Sequence, residues 1–294
     1  KGFLHCDLLV IGAGPAGLEA AVTLGKRGVP VMLAEAKEPG GRVLREARLP
    51  GLSEWGRVVD WRLSQIARLP QVTLYPGSAM TADDVRETGV SHVMVATGSL
   101  WRATGLGRSL PGGEASFADA RTLTPDQILT GQRPAKGPVV VWDDEGYHIA
   151  AGLADLLASE GHAVTYVTPT GIVAEWSGQT VEQERLQIRL LERGVTIRTS
   201  HILRGLTPGQ AVLSCAFTGT ETAIPCAGFV PVTSREPQDQ LWRDLQTLPL
   251  QSLTRIGDAR APGLIAHAVH DGHRAARAHL TPLPKPRREV ILLD

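Results

Sequence analysis

The stretch that most restricts how this chain can fold is its opening, Leu8-Leu9-Val10-Ile11-Gly12-Ala13-Gly14-Pro15-Ala16-Gly17-Leu18-Glu19-Ala20-Ala21. A short apolar run ends in Gly-x-Gly-x-x-Gly and passes directly into a helical pattern. Gly12 permits the tight turn out of a strand, Gly14 removes the side chain that would hold a pyrophosphate off the backbone, and Gly17 lets helix and strand pack closely. The helix N-terminus then offers unpaired N–H groups and a positive dipole end to phosphate oxygens. Gly28 ends this helix, Val29–Ala34 reads as a second strand, and Glu35 closes it, 21 residues past Gly14. An acid at that distance suits a ribose 2′-hydroxyl. A lone glycine motif is weak; strand, helix and acid together make a dinucleotide-binding βαβ unit.

The chain has 294 residues, enough for two domains, with 30 basic and 30 acidic side chains. That balance argues against nucleic acid or an anionic membrane as a general partner. No apolar run approaches the roughly 18 residues of a membrane span, and no signal peptide is recognisable. Cys6, Cys215 and Cys226 are scattered, with no C-x-x-C, which excludes a dithiol centre or a cysteine-ligated metal cluster built from this sequence and points to a reducing cytoplasm. The chain opens on Lys1, not Met, and the first strand follows at once, so a fragment, a processed subunit or the trailing part of a longer polypeptide is expected.

Gly40-Gly41-Arg42-Val43 suits a loop lying against a ligand, with Arg42 reaching a phosphate; a plain surface turn is the alternative. Ser53 is expected to cap a helix running to about Leu69, with Trp55, Val58, Val59, Leu63 and Ile66 as its apolar stripe. Val72–Tyr75 is a short strand. Ser91–Gly98 is a buried strand ending in Ala96-Thr97-Gly98, a small-residue terminus of the kind ligands approach in α/β sheets. Residues 99–137, rich in Gly, Pro and Arg with a helical patch near Thr124–Leu129, read as a crossover between domains.

A second βαβ unit follows: strand 138–142, helix 149–159, strand 163–167. Its phosphate turn is altered to Asp143-Asp144-Glu145-Gly146-Tyr147-His148-Ile149-Ala150. Two like charges about 4 Å apart interact by roughly 4 kcal/mol at an effective dielectric near 20, so such a turn repels a pyrophosphate. The next strand ends in Thr168, neither acid nor Arg, so this half keeps the fold and loses nicotinamide dinucleotide binding. A helix at 179–193, a strand from Val195, strands and turns over 201–232 and a brief helix at 238–245 come next. Leu253–Ala259 is a strand ending in Gly257-Asp258, and a long helix runs to about Leu280. Asp258 suits a sugar-like polyol, with a turn or capping role as the alternative. His267, His270, His273 and His279 do not share the geometry of a zinc site, but His267 lies early enough in its helix to sit near a cofactor. The tail 281–294 reads as extended.

These motifs together, Val10–Ala21, Leu33–Ala36, Gly40–Val43, Ala96–Gly98 and Ile256–Ala259, resemble the two-dinucleotide-domain flavoproteins. More closely, the chain resembles the C-terminal part of the trimethylamine dehydrogenase and dienoyl-CoA reductase family of NADH:flavin oxidoreductases. Leu49–Trp55 and Asp144–His148 are similar to its amine dehydrogenase and N-demethylase branch. The resemblance implies an α/β fold of two Rossmann-like, glutathione-reductase-like domains: a discontinuous FAD- or ADP-binding domain at 1–110 and 245–294, and an inserted NAD(P)-like domain at 111–244. It also implies a larger protein. An N-terminal TIM barrel carries FMN, substrate and catalytic residues, and a Cys-rich segment carries a [4Fe–4S] cluster; neither is in this sequence.

By position, the resemblance gives Gly12, Ala13, Gly14, Pro15, Ala16 and Gly17 to the pyrophosphate, and Glu35 and Ala36 to the adenosine ribose. Gly41, Arg42 and Val43 line the adenine or phosphate side. Ala96, Thr97 and Gly98 flank the pyrophosphate, Gly257 and Asp258 meet the pyrophosphate-ribityl end, and His267, from its place early in the last helix, joins the candidate cofactor residues. The implied partners are a barrel domain or subunit and an electron-transfer protein, in an oligomer. The expected function is the flavin part of an oxidoreductase acting on an N-methylated or related small amine. A complete FAD-dependent NAD(P)H reductase and a non-catalytic ADP-binding docking module are the alternatives. No acid–base or nucleophile constellation appears, so no catalytic residue is named.

Overall fold

The computed structural model describes Cys6, residues 8–111, Phe117 and residues 119–280. The extended tail read at 281–294 lies outside the described residues. The strands are β1 Leu8–Ile11, β2 Val31–Glu35, β3 Val72–Pro76, β4 His92–Val95, β5 Ser99–Trp101, β6 Pro138–Asp143, β7 Ala163–Val167, β8 Thr196–Arg198, β9 His201–Thr207, β10 Gln210–Cys215, β11 Glu221–Pro225, β12 Gly228–Val232, β13 Arg235–Pro237 and β14 Ser252–Arg255. The helices are α1 Pro15–Gly25, α2 Val43–Glu46, α3 Arg57–Ile66, α4 Ala82–Thr88, α5 Pro125–Leu129, α6 His148–Ser159, α7 Gln183–Glu192, α8 Gln240–Leu245 and α9 Ile265–Leu280. The chain divides into two compact units, the first comprising Lys1–Gly41, Val58–Gly98 and Gln238–Asp294, the second Arg42–Arg57 and Ser99–Pro237.

The first unit is built on a parallel sheet of order β14-β4-β1-β2-β3. Leu8 pairs with Val31 on one side and His92 on the other, which puts the opening strand at the centre. Every residue of β1 is buried, as an unbroken apolar run in a doubly covered parallel strand must be. Helix α1 is buried along nearly its whole length and ends at Gly25, one turn before the expected Gly28. Helix α9 lies against it: a Cβ on Gly272 would strike the Ala16 carbonyl, so the two backbones are in contact there. Arg62 on α3 bonds Glu19 of α1 at 2.8 Å, and His273 of α9 meets the same carboxylate at 3.1 Å.

The second unit repeats the plan with a parallel sheet of order β12-β6-β7-β8, and adds an antiparallel sheet β11-β10-β9. Strand β6 feeds two cores by its period of two. Val139 and Val141 pack with Ile149, Leu153 and Leu157 of α6. Val140 and Trp142 pack with Phe117, Phe229 and residues of the antiparallel sheet.

Two local expectations change and one helix is new. Ser53 does not cap a helix; it opens a single 3-10 turn, Ser53–Gly56, with no side-chain cap, and the helix proper starts at Arg57 and stops at Ile66. The expected helix at 179–193 is shorter, because a separate 3-10 turn, Glu175–Thr180, takes the residues before Val181. Helix α4 was not visible as periodicity, but Thr81 and Asp84 cap it reciprocally, Oγ1 accepting from the Asp84 N–H and the carboxylate from the Thr81 N–H at 2.8 Å.

Candidate nucleotide-binding site

The Gly12 amide donates to the Ala34 carbonyl at 2.7 Å, and Gly12 takes φ +103°, in the left-handed half of the map. A Cβ there would strike the Ala96 carbonyl, and one on Gly17 would strike the Gly12 carbonyl. These two glycines therefore serve the packing of β1, β4 and α1. Gly14 is different: a Cβ on it would meet only the Gly41 Cα, at 3.9 Å. The space beside it is open, at the N-terminus of a helix whose first turn carries no acid and whose N1 residue is Pro15. The first N–H groups of any α-helix have no carbonyl partner within it, so Ala16 and Gly17 offer donors there.

The expected glycine loop lies against this turn. The Gly40 amide donates to the Ala13 carbonyl at 2.8 Å, and a Cβ on Gly41 would stand 3.0 Å from the Gly14 Cα. Glu35 knits the same region together: one carboxylate oxygen accepts the Ala13 N–H at 2.7 Å and the other the Lys37 N–H at 2.9 Å. Each oxygen keeps a further lone pair for a ribose hydroxyl, and Ala36 beside it is exposed.

At the end of β4, Ala96 is buried with its amide on the Ile11 carbonyl at 2.7 Å. The Thr97 hydroxyl donates to the Gln238 carbonyl, and the Gly98 carbonyl accepts the Gln238 N–H at 2.9 Å. Beyond β14, Gly257 takes φ +61° and a Cβ on it would come within 2.5 Å of the Ala16 Cβ, so this turn abuts the first turn of α1. Its amide donates to Asp271 at 2.9 Å. Burial alone would raise the Asp271 carboxyl, but bonds from Arg274 and Gly257 and the Arg260 charge hold it below its ordinary range. Asp258 is buried and accepts the Gly263 N–H at 3.2 Å, the turn role weighed from the sequence. His267 is exposed and its Nδ1 accepts the Leu264 N–H at 3.1 Å, which leaves the proton of the neutral ring on Nε2. Gln238, Asp271 and Gly272 support the site and were not singled out; only a glycine inside a helical pattern hinted at Gly272.

Arg42 and Val43 belong to the second unit. Val43 is fully buried, and Arg42 Nη1 bonds both oxygens of Glu46, at 2.8 and 2.9 Å.

The second phosphate turn is closed differently from the expected repulsion. Its acids point into the unit's own structure, and α6 starts only at His148 with Tyr147 at its N-cap. Asp143 is fully buried, accepting the Gly146 N–H at 2.7 Å and the Tyr166 hydroxyl. Burial pushes Asp143 up to about 7 against those two bonds, and lifts Tyr166 above its ordinary value. Asp144 accepts the Ser109 amide and hydroxyl at 2.9 and 2.6 Å. Glu145 pairs with Arg235 at 2.9 Å, and burial still raises it. The Asp144 and Glu145 amides both donate to the Val232 carbonyl, at 3.0 and 3.1 Å.

Among the described residues no three His, Cys, Asp or Glu gather as metal ligands, and no helix is long and apolar enough to cross a membrane.

Two parallel-sheet units, one interrupting the other in sequence and each carrying a strand-turn-helix phosphate turn, define the glutathione-reductase-like class of two-dinucleotide-domain proteins. The sequence profile of the pyridine nucleotide-disulphide oxidoreductases matches residues 6–256, and the chain belongs to that family, which implies FAD as its nucleotide. It is 33% identical to dimethylamine dehydrogenase of Hyphomicrobium sp. (strain x) over 92% of this chain and 41% of that protein. It superposes on histamine dehydrogenase from Rhizobium sp. 4-9 with a TM-score of 0.91 and 40% identity, covering 100% of this chain and 47% of the other. Thioredoxin reductase of T. acidophilum, 16% identical with a TM-score of 0.62 over 92% of this chain and 96% of its own, shares the fold. The chain thus corresponds to the C-terminal, FAD-binding part of the amine dehydrogenases and spans under half the length of those relatives.

Proposed function

We propose that this chain holds FAD at the turn Gly12–Gly17 as part of a larger oxidoreductase that oxidises an N-methylated or related small amine and passes the electrons to a carrier protein. The observation that carries the reading is the open space at Gly14, on a helix N-terminus free of acids and bordered by the Gly40–Gly41 loop and Glu35. Bound there, the flavin supplies reversible two-electron chemistry. The chain's own residues bind and orient: first-turn amides of α1 meet the pyrophosphate, Glu35 takes the adenosine ribose, and Thr97, Gly98, Gly257, Asp258 and His267 border the rest.

On this reading the first unit is the nucleotide domain that the sequence puts at 1–110 and 245–294, and the second unit is a domain that keeps the NAD(P) fold without its ligand. FMN, a [4Fe–4S] cluster and the residues that act on the amine reside in a barrel domain or partner subunit, and the assembly is a cytoplasmic oligomer that binds no nucleic acid. ADP in place of FAD is the variant reading, and it leaves a binding and docking role. Visible absorbance of the purified protein separates the two: a flavin band supports FAD, and its absence with ADP released on denaturation supports the variant. NADH titration tests the remaining alternative, a complete reductase, because rapid bleaching of the flavin would require an open second site.

A further inference from the structure

The second unit carries a segment that the proposed function does not use. After β7, Ala174 and Val181 both take left-handed backbone conformations, φ 47° and 62°, and bracket the 3-10 turn Glu175–Thr180. Neither residue is glycine, and Val181 is β-branched and 90% exposed. Such conformations persist only where the surroundings enforce them. The turn they bracket is tied to the phosphate turn. The Trp176 amide donates to the Gly146 carbonyl at 3.0 Å, and a Cβ on Gly146 would stand 2.7 Å from the Trp176 ring. Arg108 lies over that ring, 5.7 Å from its centroid, and bonds the Asp144 carbonyl at 2.9 Å. The Ala174 amide donates to the Tyr166 hydroxyl at 3.2 Å, which in turn donates to Asp143. His148, first residue of α6, meets Glu182 at 2.8 Å. Trp176 and Glu182 thus tie the segment directly to the turn and to the helix start that a pyrophosphate would occupy, and Ala174 reaches the turn through Tyr166.

We propose that residues 174–182 are an intrachain plug seated on the second phosphate turn, and that Trp176 is the specificity-determining residue that excludes nicotinamide dinucleotides. The contrast with the first turn supports this. In both turns the amides before the helix are spent, Gly12 on Ala34 and Ala13 on Glu35 in the first, and Asp144 and Glu145 on Val232 and Gly146 on Asp143 in the second, but the first turn has open space beside Gly14 whereas Trp176 stands over the second. The plug covers what remains, the backbone of the turn's one glycine. Trp176 is 38% exposed, so the indole is laid on the turn from outside rather than sunk in a core. The inference rests on FAD filling the first site, since a second dinucleotide would otherwise have nothing to reduce.

The test uses the full chain with flavin bound. ADP-ribose and NADH are titrated calorimetrically into wild type, Trp176→Ala and Glu182→Gln, and amide exchange is followed across 174–182. The expected result is no detectable binding to wild type, a gain of at least about tenfold in ADP-ribose affinity for Trp176→Ala, and faster exchange of 174–182 in Glu182→Gln. Binding of NADH to the second turn of wild type, or no gain in either variant while the flavin band is retained, would overturn the plug. The flavin band, read in the same samples, reports the first site separately.

Discussion

Gly14 and Gly17 stand three residues apart in one motif and answer to different constraints. Gly17 has the Gly12 carbonyl where its Cβ would go, whereas Gly14 has open space. Gly17→Ala should therefore destabilise the ligand-free protein by about 1–3 kcal/mol through overpacking. Gly14→Ala should leave thermal unfolding of the ligand-free protein unchanged and weaken ADP binding about tenfold, or about 1.4 kcal/mol. If both variants lowered stability alike, the separation of roles would be wrong. Asp143 gives a pH prediction. Its folded value of about 7 lies above the ordinary 3.8, so the unfolded chain binds fewer protons between those values and stability falls as pH rises through that window. Asp143→Asn removes this loss, and the variant's melting temperature should gain on wild type from pH 4 to pH 7 and run parallel above it. The sequence located Asp143 and misread its consequence, because three acids in a row say nothing about which way each side chain turns. That orientation depends on Tyr166, Ser109 and Arg235, which are far away along the chain.

Elements were legible where periodicity and punctuation agreed. The central strands, α1, α6 and α9 all stand where apolar runs and terminal glycines put them, give or take a turn. The losses occurred where a polar segment has no period to read. Helix α4 rests on a capping box around Thr81, and the stretch after Leu52 splits into a 3-10 turn and a helix, so Ser53 never becomes a cap. The packing of α9 on α1 was not readable at all, because it turns on one contact between Gly272 and the Ala16 backbone. Gly272→Ala should push the first turn of α1 away, with a stability cost of about 1–3 kcal/mol and a matching loss of ADP affinity. Thermal unfolding and calorimetry would measure both; unaltered affinity would mean that α9 does not position the phosphate turn.

For the whole molecule, a fold shared with nicotinamide-dependent enzymes does not decide whether this protein uses nicotinamide. The two phosphate turns do. Flavin-loaded protein mixed anaerobically with NADH should keep its visible absorbance, and prompt bleaching would reopen the reductase reading. Association of residues 42–57 with the second unit, while their chain neighbours join the first, had no sequence signal. It depends on side chains such as Leu49 and Leu52 finding a core formed by residues a hundred positions later.

The bond from the Gly40 amide to the Ala13 carbonyl, with Glu35 spanning Ala13 and Lys37, is made wholly between the protein's own groups. The cradle is thus preorganised, and a ligand arriving there owes little entropy for shaping it. Cofactor loading can then follow folding instead of driving it, and a stripped preparation should accept its nucleotide again on simple mixing.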